Sequence, residues 1–374
     1  MAVNGARAVG PAVAGLIIGQ VGAGAVFALN AASFVVFALV LLFLRRPAAA
    51  VEGTPERIAS AMRAGRRYVR HSPAVRRMLQ RVGLFVLPGA ALWALLPLVA
   101  TQQLGLGADG YGAMFAALGA GAVVGALLLA QVKDRLPTNA MLTAAGVLYA
   151  ASLAVTVLAP GLLTALAALL AAGVAWMATT STLVAELQLF MPAWVRARGL
   201  GLYTVVFTGS QAVGSLIWGL VAEQAGLRAS LLLAALVVAA GAAAGVAWRV
   251  PEVGHLDRAP AVYWAEARLA VEPEPASGPV LITVEYTVTR EREPAFLEAM
   301  THLRRSRRRT GASRWELYRD AGRPDRFVET FRVPSWEEHL RQHEGRLTAA
   351  DQEIEDAVRV LSDPPPQADH LLPP

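Results

Sequence analysis

The chain has 374 residues, 55% of them hydrophobic and 17% charged, with 34 Lys and Arg against 28 Asp and Glu and no cysteine. Disulfides, thiolate metal sites and cysteine nucleophiles are therefore excluded. Residues 1–249 carry a net +11 and residues 250–374 a net −5; the basic excess lies between apolar runs, where it orients membrane spans rather than binding nucleic acid.

No charged residue occurs between Ala8 and Leu44, and further uncharged runs cover Val82–Ala108, Gly110–Val132, Leu136–Ala185, Gly199–Ala222 and Ala229–Trp248. About 20 apolar residues cross a bilayer core of about 30 Å. Eight transmembrane helices are predicted, at 3–21, 24–44, 79–103, 109–132, 138–159, 161–190, 199–222 and 227–249. Arg7 alone ahead of a long apolar stretch does not read as a cleavable signal. Basic residues gather on alternate loops: Arg7, ten Arg in 45–81, then Lys133 and Arg135, Arg196 and Arg198, and Arg249. The positive-inside rule then puts both termini and the 45–81 loop in the cytoplasm of a cell whose inner membrane the chain spans.

Within that loop Ile58, Met62, Tyr68 and Val69 fall near one stripe, with Arg57, Arg63, Arg66, Arg67 and Arg70 around it. The pattern predicts an amphipathic helix on the inner leaflet, each basic residue gaining about 1 kcal/mol from anionic lipid; a solvated basic linker is the other reading. Gly119, Gly121 and Gly125 in the fourth helix, and Gly209 and Gly214 in the seventh, are expected to allow close helix approach. Pro11, Pro88 and Pro97 interrupt the first and third helices. Such breaks either bend helices around a cavity or are tolerated without a role.

A Pro-rich linker is expected over 250–278 and a soluble domain over 279–374. Val280–Val288 alternates as a strand. Pro294–Arg309 is helical, with Phe296, Leu297, Met300 and Leu303 at helical spacing. Strands follow at Ser313–Arg319 and Arg326–Val333. Ser335 and Glu338 form a capping box for a helix that extends towards Leu361. A last strand lies near Asp369–Leu372. The order β-α-β-β-α-β fits a ferredoxin-like domain. The fold class is thus an all-α polytopic membrane domain plus a small α+β cytoplasmic domain.

Glu186 is the acidic residue set deep in an apolar segment. It is a candidate for proton coupling or a cationic substrate, unless it reaches water at the end of its helix. Gln102, Gln103, Thr180, Gln188 and Gln211 are candidates for lining a cavity or for hydrogen bonds between helices. His339 and His343 have a zinc-compatible spacing, but no third ligand is evident, so no metal is expected. The Arg304–Arg309 run reads as a solvated helix face, with RNA or lipid headgroups as other partners.

Several motifs resemble those of major facilitator transporters. Gly10-Pro11-Ala12-Val13-Ala14-Gly15 resembles the antiporter motif of exporters, with Gly10, Pro11 and Gly15 on its pattern. Lys133-Asp134-Arg135 resembles the Asp–Arg core of the family's cytoplasmic loop signature, here Asp134 and Arg135. Pro192-Ala193-Trp194-Val195-Arg196-Ala197-Arg198 resembles the PxWxRGR loop, with Arg196 and Arg198 on its basic positions. The tail stretches Arg314–Asp320 and Glu329–His343 resemble an antibiotic-biosynthesis-monooxygenase-like domain. Together these resemble the transmembrane secretion effector, or enterobactin-exporter-like, branch.

The resemblance implies that 1–44 holds the last two helices of the N-terminal half, 45–78 the connecting loop and 79–249 the six-helix second half. On that plan the four preceding helices are expected to be missing, and whether the chain is active alone stays open. The resemblance implies efflux of a small molecule by secondary transport coupled to proton antiport, with no cofactor and no enzymatic activity. It also implies a homodimer through the tail. The alternatives are a membrane-anchored protein that dimerises or binds a metabolite through that tail, and a membrane-tethered monooxygenase.

Overall fold

The computed structural model describes residues 23–43, 58–133, 135–250 and 273–373. The helix expected at 3–21 lies outside them. Seven helices among the described residues are long and apolar enough to cross a membrane. They are α1 (Ala23–Phe43), α3 (Pro73–Leu98, extended by a π turn over Val99–Gln103), α4 (Ala108–Lys133), α5 (Thr138–Leu158), α6 (Leu162–Phe190), α7 (Ala193–Ala225) and α8 (Leu227–Ala247). The shorter α2 (Ile58–His71) precedes α3.

Two boundaries differ from the sequence reading. Helix α3 begins at Pro73, not 79, because proline suits a first helical turn and the arginines there need only stay near water. Helix α7 begins at Ala193, not 199: the Pro192 carbonyl accepts from Val195 N at 3.2 Å and Arg196 N at 3.1 Å. Charge marks where a span leaves the bilayer, not where its helix ends.

The chain divides into two compact units, one holding 23–43, 77–185 and 203–250, the other 58–76, 186–202 and 273–373. In the first, small residues let helices meet backbone to backbone. A Cβ at Gly121 would overlap the Leu170 carbonyl, and one at Gly173 the Leu118 carbonyl, which joins α4 to α6. Gly214 sits as closely on Leu87, whose carbonyl also accepts from Trp218 Nε1 at 3.0 Å. Gly209, expected to do the same, has open space beside it. Helix α3 runs through Pro88 and Pro97 without ending.

Arg81 is a buried charge that the sequence reading passed over. Its guanidinium donates to the carbonyls of Gly241 at 3.3 Å and Gly245 at 3.1 Å, near the C-terminal end of α8. A cation suits that end of a helix dipole. Any side chain at Gly245 would occupy the guanidinium's place. Helix α1 differs from its neighbours: its apolar side chains, Phe34 and Phe37 among them, are exposed.

The second unit contains an antiparallel four-stranded sheet in the order β2-β3-β1-β4. Its strands are β1 (Val280–Thr287), β2 (Arg314–Arg319), β3 (Arg326–Val333) and β4 (Gln367–Leu371). Between β1 and β2 lies α9 (Glu293–Thr310); between β3 and β4 lie α10 (Trp336–Arg341) and α11 (Ala349–Arg359). Strand period two sets the core: Val280, Ile282, Val284 and Tyr286 of β1 face inward with Phe327, Phe331 and Val333 of β3, against Phe296, Met300 and Leu303 of α9. Val280 pairs with Val333 and Tyr286 with Phe327.

The capping box expected at Ser335 is only half made. Ser335 Oγ accepts from Glu338 N at 3.2 Å. The Glu338 carboxylate instead accepts from Arg346, at 2.6 and 2.9 Å, and from Arg67 at 2.8 Å. The complete capping box joins Thr348 and Asp351 at the start of α11.

Candidate functional site

Inside the first unit, α3, α4, α6 and α7 enclose a cavity of about 290 Å³. Its wall is aromatic: Trp93, Phe115, Trp176, Tyr203 and Phe207, with Leu118, Met177 and Val184 between them. Among the described residues no charged side chain lines it. Trp176 is the hub, its ring centroid 5.3 Å from Trp93, 5.5 Å from Phe85, 5.6 Å from Tyr149 and 6.0 Å from Phe207. Tyr149 is locked behind it, donating from its hydroxyl to the Gly89 carbonyl at 2.9 Å. Gly89 leaves room for both rings, since a Cβ there would lie 3.0 Å from Trp176 and 3.2 Å from Tyr149. Of the three lining hydroxyls, two turn back on their own helix: Thr180 donates to the Trp176 carbonyl at 2.8 Å, and Ser181 to Met177 Sδ at 3.2 Å; Tyr203 carries the third. The wall therefore offers mainly ring faces, with the Tyr203 hydroxyl and the Trp93 indole N–H as polar groups. That suits a flat apolar ligand, because aromatic pairs gain about 0.5–1.5 kcal/mol beyond area burial.

Of the transport candidates read from sequence, Thr180 lines the cavity; Gln102, Gln103, Glu186, Gln188 and Gln211 do not. Glu186 is buried and Gln188 exposed. Gln103 donates at 3.5 Å to the carbonyls of Thr156 and Ala159. Gln102 is exposed and Gln211 half-buried. Gly10, Pro11, Gly15 and Asp134 lie outside the described residues, and Arg135 is exposed. Arg196 donates to the Met191 carbonyl at 3.3 Å, and Arg198 lies 6.0 Å from the Trp194 ring.

The second unit gathers three segments far apart in sequence. Helix α2 packs on α9. Tyr68 of α2 is buried with its ring edge-on to Trp194 at 5.7 Å, and Arg309 of α9 sits 5.8 Å over Tyr68. Arg346 covers Trp194 at 4.9 Å. Glu338, whose carboxyl burial alone would raise, is held below its ordinary range by Arg346 and Arg67. Of the expected α2 stripe, Tyr68 is buried against protein while Met62 is exposed.

The sheet domain also encloses a buried polar network. Glu329 accepts from Tyr286 Oη at 2.8 Å, Trp315 Nε1 at 2.6 Å and Arg307 Nε at 3.4 Å. Arg307 also pairs with Glu355. Burial alone would pull the Arg307 guanidinium down, but Glu355 and Glu329 hold it above its ordinary value. Burial and the Glu329 charge push the Tyr286 hydroxyl well up.

His339, His343 and His370 cluster, with ring centroids 4.5 and 4.7 Å from His339. Among the described residues no group of three or more His, Asp or Glu is arranged to hold a metal ion. Burial, then His343, His370 and Arg307, push the His339 imidazole down to about 2. The fold holds the neutral ring, so its contribution is complete above the ordinary value of 6.5 and is lost as pH falls from there towards about 2. Unfolding of the tail in the full chain, followed by hydrogen exchange, is expected to become easier below pH about 6.5, by up to about 1.4 kcal/mol per pH unit. The His339→Gln variant should flatten that slope; an unchanged slope would contradict the assignment.

No curated protein matches the chain. The profile of the transmembrane secretion effector family matches residues 1–373, and together with seven apolar helices it marks a multi-pass membrane protein. The chain belongs to the transmembrane secretion effector family of major facilitator transporters.

Proposed function

We propose that the protein is a secondary active exporter of small, flat, largely apolar molecules, driven by proton antiport across the cell inner membrane, with both termini cytoplasmic. The aromatic cavity carries this reading: a wall of rings without charge selects ligands by stacking and shape. The basic residues at 58–81, 133–135 and 196–198 support the orientation. Glu186, a buried carboxylate on α6, is the proton-carrying candidate.

The test is uptake of a planar aromatic dye into proteoliposomes holding the full chain, with and without an imposed pH gradient. Gradient-driven uptake that Glu186→Gln abolishes is the expected result. Uptake indifferent to the gradient would end the antiport reading, and no uptake of any aromatic probe would end the transport reading.

The element order and the β2-β3-β1-β4 sheet support a ferredoxin-like fold for the tail, akin to monooxygenase-like domains. A second reading follows, in which the tail pairs two copies of the chain. The observation behind it is the outer sheet face, where Tyr318 and Leu371 are exposed. Cross-linking of the full chain in native membranes through cysteines placed at 318 would test it; monomers alone would refute it.

A further inference from the structure

Helices α2 and α9 pack together although both are rich in arginine. Three of these arginines are answered by carboxylates: Arg67 by Glu338, Arg307 by Glu329 and Glu355, and Arg309 by Asp351. Six others, Arg63, Arg66 and Arg70 on α2 and Arg304, Arg305 and Arg308 on α9, have no carboxylate partner among the described residues. All six are exposed except Arg308, which is half-buried. Arg308 Nε is shielded from solvent without an acceptor.

The crowding is mutual. Burial, and then Arg304 and Arg70, pull Arg308 below its ordinary value. Burial, and then Arg308 and Arg70, do the same to His71. Like charges brought together across a helix contact repel, and an anion bound between them relieves that repulsion. The site's position indicates which anion. Helix α2 ends at His71, two residues before α3, whose uncharged stretch starts at Val82, so Arg70 lies on the chain within about 12 residues of the membrane-crossing segment. Basic clusters at that position attract anionic headgroups. Tyr68 of the α2 stripe is buried against protein and Met62 is exposed, so the arginines supply most of the attraction.

We propose that Arg70 and Arg308, flanked by Arg66 and Arg304, form a phosphate-binding surface that holds an anionic phospholipid headgroup of the leaflet where α3 enters, joining the α2 loop to the tail. The inference is independent of which molecule the protein carries.

The full chain is reconstituted in nanodiscs of phosphatidylcholine with or without phosphatidylglycerol. Lipid retained after mild delipidation is read by native mass spectrometry, and protection of 58–71 and 293–310 by hydrogen exchange. The expected result is preferential retention of phosphatidylglycerol, with both helices protected only when it is present. The Arg70→Gln/Arg308→Gln variant should lower the preference by about tenfold or more, whereas Arg323→Gln, on an exposed turn, should leave it unchanged. Equal retention of the two lipids by the unmodified protein overturns the proposal, whatever the variants do. If inorganic phosphate in phosphatidylcholine discs protects the same helices equally, the ligand is a free anion and the lipid assignment falls. If a short RNA displaces phosphatidylglycerol, the surface is a nucleic-acid site and the proposal likewise fails.

Discussion

Replacement of Trp176 by alanine is expected to weaken an aromatic ligand's apparent affinity by about two- to tenfold, because one stacking face is worth about 0.5–1.5 kcal/mol. The same change removes four ring contacts, with Phe85, Trp93, Tyr149 and Phe207. In lipid there is little hydrophobic drive to refill the gap, so the loss is one of packing and shape. Concentration-dependent dye uptake in proteoliposomes separates the effects: a raised half-saturation with the helices still assembled supports a ligand wall. Thr180→Val is the contrast. Its hydroxyl is already bonded to the Trp176 carbonyl, so uptake should change little. Equal damage from both variants would mean that the cavity is structural and holds no ligand.

The second large effect is expected in the tail. Glu329→Leu removes a fully buried carboxylate that accepts from Tyr286, Trp315 and Arg307. Two buried donors lose their acceptor and Arg307 keeps only Glu355. Breaking such a buried network costs about 3–5 kcal/mol, enough to unfold a small domain of ordinary stability. Hydrogen exchange of β1 and β3 in the full chain should rise steeply. Glu329→Gln keeps an acceptor oxygen at the site and should lose less. A leucine variant as protected as the parent would show that the network contributes nothing to the fold.

The membrane spans were legible because a bilayer forbids charge and unpaired backbone over about 20 residues, which leaves a pattern too long to mistake. The strands of the tail were legible for a similar reason: Val280–Val288 alternates, and its inward residues Val280, Ile282, Val284 and Tyr286 follow from period two, whereas the inward charge of Glu329 does not. The cavity was not found because polar side chains were sought, and Gln102 and Gln188 are exposed. The available signal was Trp176, at the midpoint of α6. Tryptophan usually sits at the membrane interface, so one in the middle of a span asks for a partner. Glu338 misled in another way. Three residues after Ser335 it reads as a local cap, but only the fold brings Arg67, 271 positions earlier in the chain, within reach of it.

Helix α7 is unbroken over 33 residues, which at 1.5 Å each is about 50 Å of rod. A hydrocarbon slab is about 30 Å thick, so about 20 Å of that rod must stand in water or be absorbed by tilt. Its first residues cannot sink, since Arg196 and Arg198 lie there and Trp194 is covered by Arg346 and edged by Tyr68. Mismatch between protein and lipid is then taken up at the other end. Bilayer thickness is therefore a variable that α7 answers by tilt, and Tyr203 and Phe207 of the cavity wall ride on that helix.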